Sequence, residues 1–187
     1  MEAIGKTSKL EKYIKLFLIT VIGTILITIS AKIKIPFYPV PMTMQTFVII
    51  LMGITFGYKI GIATVGLYLF EGIIGLPVFA SSPEKGIGLA YFVGPTMGYL
   101  IGFLVAVYFA GFFEYNKGKI NSFFKILFSV SIIYIFGLIW LGALIGWDKP
   151  IFKLGAQPFL LAELFKILLL VLLTPTLLNF KKFLKII

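Results

Sequence analysis

The sequence contains no cysteine and no histidine among its 187 residues. Without these residues the chain can form no disulfide bond, no thiolate nucleophile, no imidazole metal site and no histidine-dependent catalytic triad. Arginine is absent too, and Asp148 is the only aspartate, which excludes an intramembrane protease of the usual two-aspartate kind. No phosphate-binding GxxxxGK[ST] motif is present, so other subunits must hydrolyse any ATP that drives the protein. We therefore expect no metal, no cofactor and no catalytic residue.

Charged residues are also scarce. They make up 13% of the chain, and hydrophobic residues make up 60%, whereas a soluble domain has about 25% charged and about 45–50% apolar residues. One membrane-spanning helix needs about 20 predominantly apolar residues, so a chain of this length holds about six spans and little else. The composition predicts an all-α integral membrane protein whose residues 1–187 form a single membrane domain.

The apolar runs and the glycines and prolines between them predict a bundle of six transmembrane helices. The second and third runs are short, and only Gly57, Tyr58 and Lys59 separate them. They could form one broken helix, but the glycine and the lysine favour a tight turn. The predicted spans cover residues 14–33, 42–56, 60–76, 95–113, 124–147 and 158–178.

The net charge of +10 comes from lysines in short loops and tails between the apolar runs. This distribution is typical of membrane orientation signals and not of nucleic-acid binding. If the amino terminus is cytoplasmic, eleven of the 17 lysines lie on the cytoplasmic side and five lie outside. The excess of positive charge therefore predicts that both termini are cytoplasmic.

Three charged side chains lie within the predicted spans away from their ends, namely Glu71, Glu163 and Lys166. Each costs about 2.5–3.5 kcal/mol on insertion scales, so each is a candidate for a functional site. Glu163 and Lys166 are three residues apart on the last span and can pair on one helix face. A carboxylate beside an ammonium suits a small ligand with N–H and C=O groups, such as a urea-like group, but a purely structural ion pair fits the spacing equally well. For Glu71 we expect structural pairing or outward snorkelling.

Residues 36–41, 77–94 and 148–157 connect the spans on the predicted outer face. They are rich in proline, glycine and aromatic residues. Such apolar connections are costly in water unless they pack, so we predict ordered loops that cover an outward-facing cavity. The alternative is that these segments only occupy the lipid headgroup region.

Small residues recur at every fourth position of the first span, at Thr20, Thr24 and Thr28. Such a stripe lets helices approach closely. It fits a docking face for a partner protein and internal packing equally well.

Four stretches of the chain resemble the BioY family, the biotin-specific substrate-binding components (S components) of energy-coupling-factor transporters. They are residues 35–46 (IPFYPVPMTMQT), 72–80 (GIIGLPVFA), 94–103 (GPTMGYLIGF) and 157–166 (QPFLLAELFK). Their order, spacing and placement at the predicted outer helix ends agree with the family pattern. Two departures stand out. Glu163 replaces the usual aspartate, which bears on ligand fit, and threonines replace an alanine-rich stripe in the first helix, which bears on coupling.

The resemblance implies a multi-pass protein of the bacterial cytoplasmic membrane whose outward-facing biotin pocket is closed by the first outer loop. The protein would dock through its first helices, with Thr20, Thr24 and Thr28 as candidate contacts, onto a transmembrane coupling subunit that sits on two ATPase subunits. A solitary carrier of biotin or a biotin precursor and a small membrane enzyme that uses Glu163 and Lys166 as acid and base are the alternatives.

The resemblance also implies ligand-binding residues. Glu163 would accept a hydrogen bond from a ureido N–H of biotin, and Lys166 would donate one to the ureido carbonyl. Four further residues near the outer helix ends are expected to form the wall of the pocket: Gln45, Ser81, Tyr91 and Tyr99.

Overall fold

The computed structural model describes residues 9–184 and is helical throughout except for one small ladder of two strands. The prediction that both termini are cytoplasmic concerns residues 1–8 and 185–187, which lie outside this range. The all-helical class is confirmed, whereas the ladder of β1 (Lys34–Ile35) and β2 (Met42–Thr43), which are antiparallel, was not predicted. Within the described residues the helices are α1 (Lys9–Lys32), α2 (Gln45–Ile73), α3 (Met97–Phe112), α4 (Lys119–Ile145), α5 (Ile151–Gly155) and α6 (Leu160–Leu184), with 3-10 turns at Gly88–Val93 and Gln157–Phe159.

Four helical stretches among residues 9–184 are long and apolar enough to cross a membrane. They are α1, α2, α4 and the stretch Ile151–Phe183, which joins α5 to α6 through a 3-10 turn. Helix α3 is apolar but shorter, with 16 residues. These helices make the chain a multi-pass membrane protein.

Helix α2 folds back on itself at Gly57, where φ is 78° and ψ is 171°, a conformation that residues with a side chain rarely adopt. Near the start of α2, Gln45 Nε2 donates a hydrogen bond of 2.8 Å to the Tyr68 hydroxyl, 23 positions later. A straight helix would separate these residues by about 35 Å. The two halves, residues 45–56 and 58–73, therefore pack antiparallel, and Gly57 provides the tight turn that the sequence predicted.

Glycines permit close approach where α3 crosses its neighbours. A Cβ atom on Gly111 would lie 2.2 Å from the backbone nitrogen of Tyr58, in the turn of α2. A Cβ atom on Gly98 would lie 2.3 Å from the carbonyl oxygen of Phe136, in α4. Helix α3 is therefore pressed against both neighbours, and this packing brings the starts of α2 and α3 together at one end of the bundle.

Helix α1 lies at the edge of the bundle and packs against α2. The Thr24 side chain is only 2% exposed, and its hydroxyl donates a hydrogen bond of 2.9 Å to Glu71 Oε1. Glu71 is thus paired within the protein, as expected. Thr24 therefore faces α2, and its role in docking stays a prediction. At this position internal packing explains the small residue.

Replacing Gly57 with alanine tests the turn of α2. We expect G57A to lower the free energy of unfolding by about 1–3 kcal/mol, because the Cβ atom strains a backbone with positive φ. A Cβ atom on Gly66, in the second half of α2, would meet nothing within 4 Å, so G66A is the matched control and should leave stability unchanged or raised. Thermal unfolding of the detergent-solubilised protein, followed by tryptophan fluorescence, measures both. Equal unfolding temperatures of G57A and G66A would contradict the requirement for glycine at this turn.

Candidate functional site

Glu163 and Lys166 lie one turn apart near the start of α6, and each side chain is only 6% exposed. Lys166 Nζ is 2.8 Å from Glu163 Oε1, so the two form the ion pair that their spacing allowed. The preceding 3-10 turn carries Pro158 near its start, which suits the first turn of a helix and sets where α6 begins. The pair is therefore buried near one end of α6.

Thr43 of β2 and Thr46 at the start of α2 complete this cluster. Lys166 Nζ donates hydrogen bonds to the carbonyl oxygen of Thr43 at 2.6 Å and to the Thr46 hydroxyl oxygen at 3.1 Å. The Thr46 hydroxyl in turn lies 2.9 Å and 3.0 Å from the two carboxylate oxygens of Glu163, to which it donates. With Glu163 as its third acceptor, Lys166 uses all three of its N–H donors. Each buried charge thus has the partners that burial requires.

A cavity of about 50 Å³ lies beside the carboxylate of Glu163. A water molecule needs about 10–15 Å³ of such volume, so the cavity has room for a few water molecules. Its walls come from α2, α3, α4, the start of α6 and two loops. These loops contain the first two segments that the sequence predicts on the outer face, and we call them the first outer loop (residues 33–44) and the second outer loop (residues 74–96). Four of the predicted site residues line it: Gln45, Tyr91, Tyr99 and Glu163.

The other two predicted site residues do not line this cavity. Lys166 lies behind Glu163 and borders a separate, mostly apolar cleft of about 600 Å³ between the β1–β2 ladder and α6. Ser81 borders a smaller cavity of about 10 Å³, and its backbone N–H donates to the Tyr91 hydroxyl at 3.3 Å. Lys166 is therefore linked to the cavity by its hydrogen bonds to Thr43, Thr46 and Glu163, which line it. Ser81 is linked to it through Tyr91.

The polar groups of the remaining wall residues are held by the protein. The amide of Gln45 donates to the Tyr68 hydroxyl. The Tyr99 hydroxyl donates to the carbonyl oxygen of Gly155 at 2.7 Å, which ties α3 to α5. The ring of Tyr91 stacks on Phe79 with 4.6 Å between the ring centroids. These contacts give the wall a fixed shape.

Sequence reasoning missed Thr43, Thr46 and Tyr134. The two threonines lie within the stretch 35–46, at the start of the second predicted span. Their hydroxyl groups could have been recognised as candidate partners for the charged residues Glu163 and Lys166 of the last span. Tyr134 lies in the middle of α4, and its ring packs edge-on against Tyr99 at 6.0 Å. Nothing in the sequence marks Tyr134 as a cavity residue, because only the packing of α4 on α3 brings it there.

Lysine side chains tie the first outer loop and the end of α1 to the second outer loop. Lys32 donates hydrogen bonds of 2.8 Å to the carbonyl oxygens of both Phe79 and Ser82. Lys34 donates one of 2.7 Å to the carbonyl oxygen of Ala80. An ammonium group offers several donors, so each lysine can satisfy loop carbonyl groups that lack partners in a helix or sheet.

The two outer loops also meet directly above the cavity. Lys85 Nζ in the second loop lies 3.4 Å from the carbonyl oxygen of Pro39 in the first. Phe37 packs edge-on against Phe159, with 5.6 Å between ring centroids, and Val40 lines the cavity. The first two of the three predicted loops are thus ordered and border the cavity, as the sequence predicted, whereas no residue of the third, 148–157, lines it.

Comparison with known proteins gives a consistent result. The model of the BioY family matches residues 6–183. The probable biotin transporter BioY of Pyrococcus horikoshii is 36% identical over 75% of this chain and 82% of its own length. The biotin transporter BioY of Thermotoga maritima is 37% identical over 78% of this chain and 85% of its own length.

A solved structure is similar to the whole fold. The crystal structure of the S-component for biotin from an ECF-type ABC transporter superposes with a TM-score of 0.74 and 27% sequence identity. The match covers 95% of this chain and 95% of the other.

Replacing Thr46 with valine tests the buried cluster. T46V keeps the side-chain shape but removes the hydroxyl that bridges Glu163 and Lys166, so we expect a loss of about 1–3 kcal/mol in the free energy of unfolding. The matched control is T55V on the same helix, because the buried Thr55 hydroxyl has no hydrogen-bond partner within residues 9–184. T55V should be neutral or stabilising. Thermal unfolding in detergent compares them, and a T46V midpoint at or above that of T55V would contradict the bridging role.

Proposed function

The chain belongs to the BioY family, and on this basis we propose that it captures biotin at the Glu163–Lys166 cluster as the substrate-specific component of an energy-coupling-factor transporter. The observation that carries this proposal is the buried ion pair at the edge of a cavity bordered by two ordered loops. A buried carboxylate beside an ammonium offers an acceptor and a donor at once, which matches the N–H and C=O groups of the ureido ring of biotin.

Glu163 is the direct ligand contact in this proposal. A carboxylate has about four acceptor positions, and the hydrogen bonds from Thr46, Lys166 and the Tyr134 hydroxyl leave part of this capacity free. Since Glu163 lines the cavity, its free oxygen lone pair can accept a ureido N–H. Glutamate is one methylene longer than the aspartate usual in the family, so the carboxylate projects further from α6.

Lys166 contacts the ligand by exchanging partners. All three of its donors are engaged, and one of them bonds the carbonyl oxygen of Thr43, at the end of the first outer loop. A ureido carbonyl that replaces the Thr43 carbonyl would keep Lys166 satisfied while freeing the loop. Ligand binding and loop movement are then one step, because the same ammonium group serves both.

The rest of the wall suits the remainder of biotin. Gln45, Tyr91 and Tyr99 surround the cavity together with apolar side chains such as Phe103, and apolar walls with a few placed polar groups are usual for small-molecule sites. Ser81 contributes by fixing the Tyr91 hydroxyl. Ligand sites commonly enclose about 300–1,000 Å³, far more than the 50 Å³ found here. The outer loops must therefore move outward when the ligand enters.

The topology follows from the same proposal. The halves of α2 run antiparallel, so α1, the two α2 halves, α3, α4 and the stretch from α5 to α6 give six alternating crossings in one membrane domain over residues 1–187. An even number of crossings puts both termini on one side. The excess of lysines favours the cytoplasm as that side, and a bacterial cytoplasmic membrane is the location in this proposal.

Transport requires partners in this proposal. The chain has no ATP-binding motif, so a transmembrane coupling subunit and two ATPase subunits supply the energy. The exposed apolar face of α1, which includes Phe17, Ile25 and Ile29, is the proposed contact for the coupling subunit. Thr20 and Thr28 lie at the border of this face and are half-buried.

Replacing Lys166 with methionine tests the binding site. We expect K166M to weaken biotin binding at least about 100-fold, because it removes the ureido carbonyl donor and leaves Glu163 unpaired. K153M, which removes an exposed lysine of α5, is the matched control and should bind like the native protein. Isothermal titration of each purified variant with biotin measures the two affinities.

The double variant E163Q/K166M separates folding from binding, since it leaves no unpaired charge. We expect it to fold and still fail to bind. Native-like affinity in a folded K166M protein would exclude Lys166 from the site.

Ligand analogues test the ureido assignment. Desthiobiotin keeps the ureido ring and lacks the thioether, so we expect an affinity loss of about 10–200-fold, as for a missing apolar group. The diamine that is formed when the ureido carbonyl group of biotin is removed should bind about 10⁴-fold more weakly than biotin, because it leaves buried polar groups of the site unpaired. Competition against labelled biotin measures both. If the diamine bound more tightly than desthiobiotin, Glu163 and Lys166 would not contact the ureido group.

A further inference from the structure

A second polar site lies at the opposite end of the bundle from the Glu163–Lys166 cluster. Three lysines converge there around a cleft of about 530 Å³, which we call the lysine cleft. Lys12 comes from the first part of α1, Lys59 from the turn of α2 and Lys181 from the last turn of α6. We propose that the lysine cleft binds the phosphate-bearing headgroup of an anionic phospholipid.

The described protein supplies no carboxylate to the lysines of the cleft. Within residues 9–184 the ion pairs are Asp148–Lys149 and Glu163–Lys166, and neither involves a lysine of the cleft. No acidic residue lines the cleft either. A phosphate bound among three lysines is attracted by their shared positive charge and can accept hydrogen bonds from them.

The cleft has an apolar wall beside its charged rim, which favours a lipid over a soluble anion. Leu16 and Phe56 line it between the lysines. All three lysines lie at helix ends, the level at which lipid headgroups surround a membrane protein. A phospholipid can place its phosphate among the lysines and its glycerol and first methylenes against Leu16 and Phe56.

The walls of the cleft are fixed by packing before any ligand binds. The ring of Phe56 packs edge-on against Phe180 of α6 at 6.5 Å, and Tyr58 packs edge-on against Tyr108 of α3 at 5.6 Å. Gly111 allows α3 to contact the α2 turn, since a Cβ atom there would lie 2.2 Å from the Tyr58 nitrogen. The α2 turn, α3 and the end of α6 thus hold Lys59 and Lys181 in place around the cleft.

Lipid titration followed by native mass spectrometry of the purified full-length protein tests the proposal. Phosphatidylglycerol is the probe, and zwitterionic phosphatidylcholine is the reference lipid. The variant K12Q/K59Q/K181Q removes the cleft charges. Its matched control, K15Q/K117Q/K119Q, removes three exposed lysines from the same end of the bundle but outside the cleft. Biotin titration of both variants verifies folding, because the proposed biotin site lies at the other end.

We expect the native protein to bind phosphatidylglycerol in preference to phosphatidylcholine. The cleft variant should bind phosphatidylglycerol about 100-fold more weakly, since each lysine near an anionic lipid contributes about fivefold. The control variant should keep most of the native affinity.

Several results would overturn the proposal. Equal losses of phosphatidylglycerol affinity in the cleft variant and the control variant would show that lysines at this end attract anionic lipid without a specific site. Equal affinity of the native protein for phosphatidylglycerol and phosphatidylcholine would exclude recognition of the lipid charge. Complete displacement of the lipid by millimolar inorganic phosphate would indicate a site for a soluble anion. If the cleft variant kept its lipid affinity but no longer co-purified with a coupling subunit, the cleft would be a protein-docking surface.

Discussion

The arrangement of the helices and loops around the cavity depends on the buried ion pair between Glu163 and Lys166. Two charges removed from water are costly unless they are paired and their remaining hydrogen-bonding capacity is used. Thr46 bridges both charges, and the carbonyl group of Thr43 takes the remaining lysine donor. Since Thr43 and Thr46 belong to β2 and the start of α2, this one cluster holds α6, α2 and the first outer loop in a common arrangement.

A site of this kind can bind a polar ligand by exchange of partners, without burying new charge. The cluster already carries the cost of desolvation, so a ligand with matching N–H and C=O groups only replaces hydrogen bonds that the loop supplies. The loops above the cavity are held by lysine–carbonyl hydrogen bonds and by the contact of Phe37 with Phe159. In the first loop residues 33–38 are exposed, whereas the second loop buries Phe79 and Tyr91. The first loop can therefore open at lower cost than the second while the helices stay fixed.

Lysine has different roles at the two ends of the bundle. At the outer end, Lys32 and Lys34 are satisfied by backbone carbonyl groups and stabilise loops. At the other end, Lys12, Lys59 and Lys181 surround a cleft without a carboxylate partner in the described chain. Between them, Thr24 and Glu71 join α1 to α2 through a hydrogen bond. Several charges of this apolar protein thus have a structural role or a proposed binding role.

The sequence by itself determined the membrane class, the positions of the helices and the pairing of Glu163 with Lys166, because apolar runs, glycine turns and a spacing of three residues act locally. It also predicted the turn at Gly57. It could not show that Thr46 completes the ion pair, that Lys166 lies behind Glu163, or that Thr24 faces α2. Only the tertiary structure decided these points, because each depends on how residues distant in the chain are packed: Thr46 and Glu163 are 117 positions apart.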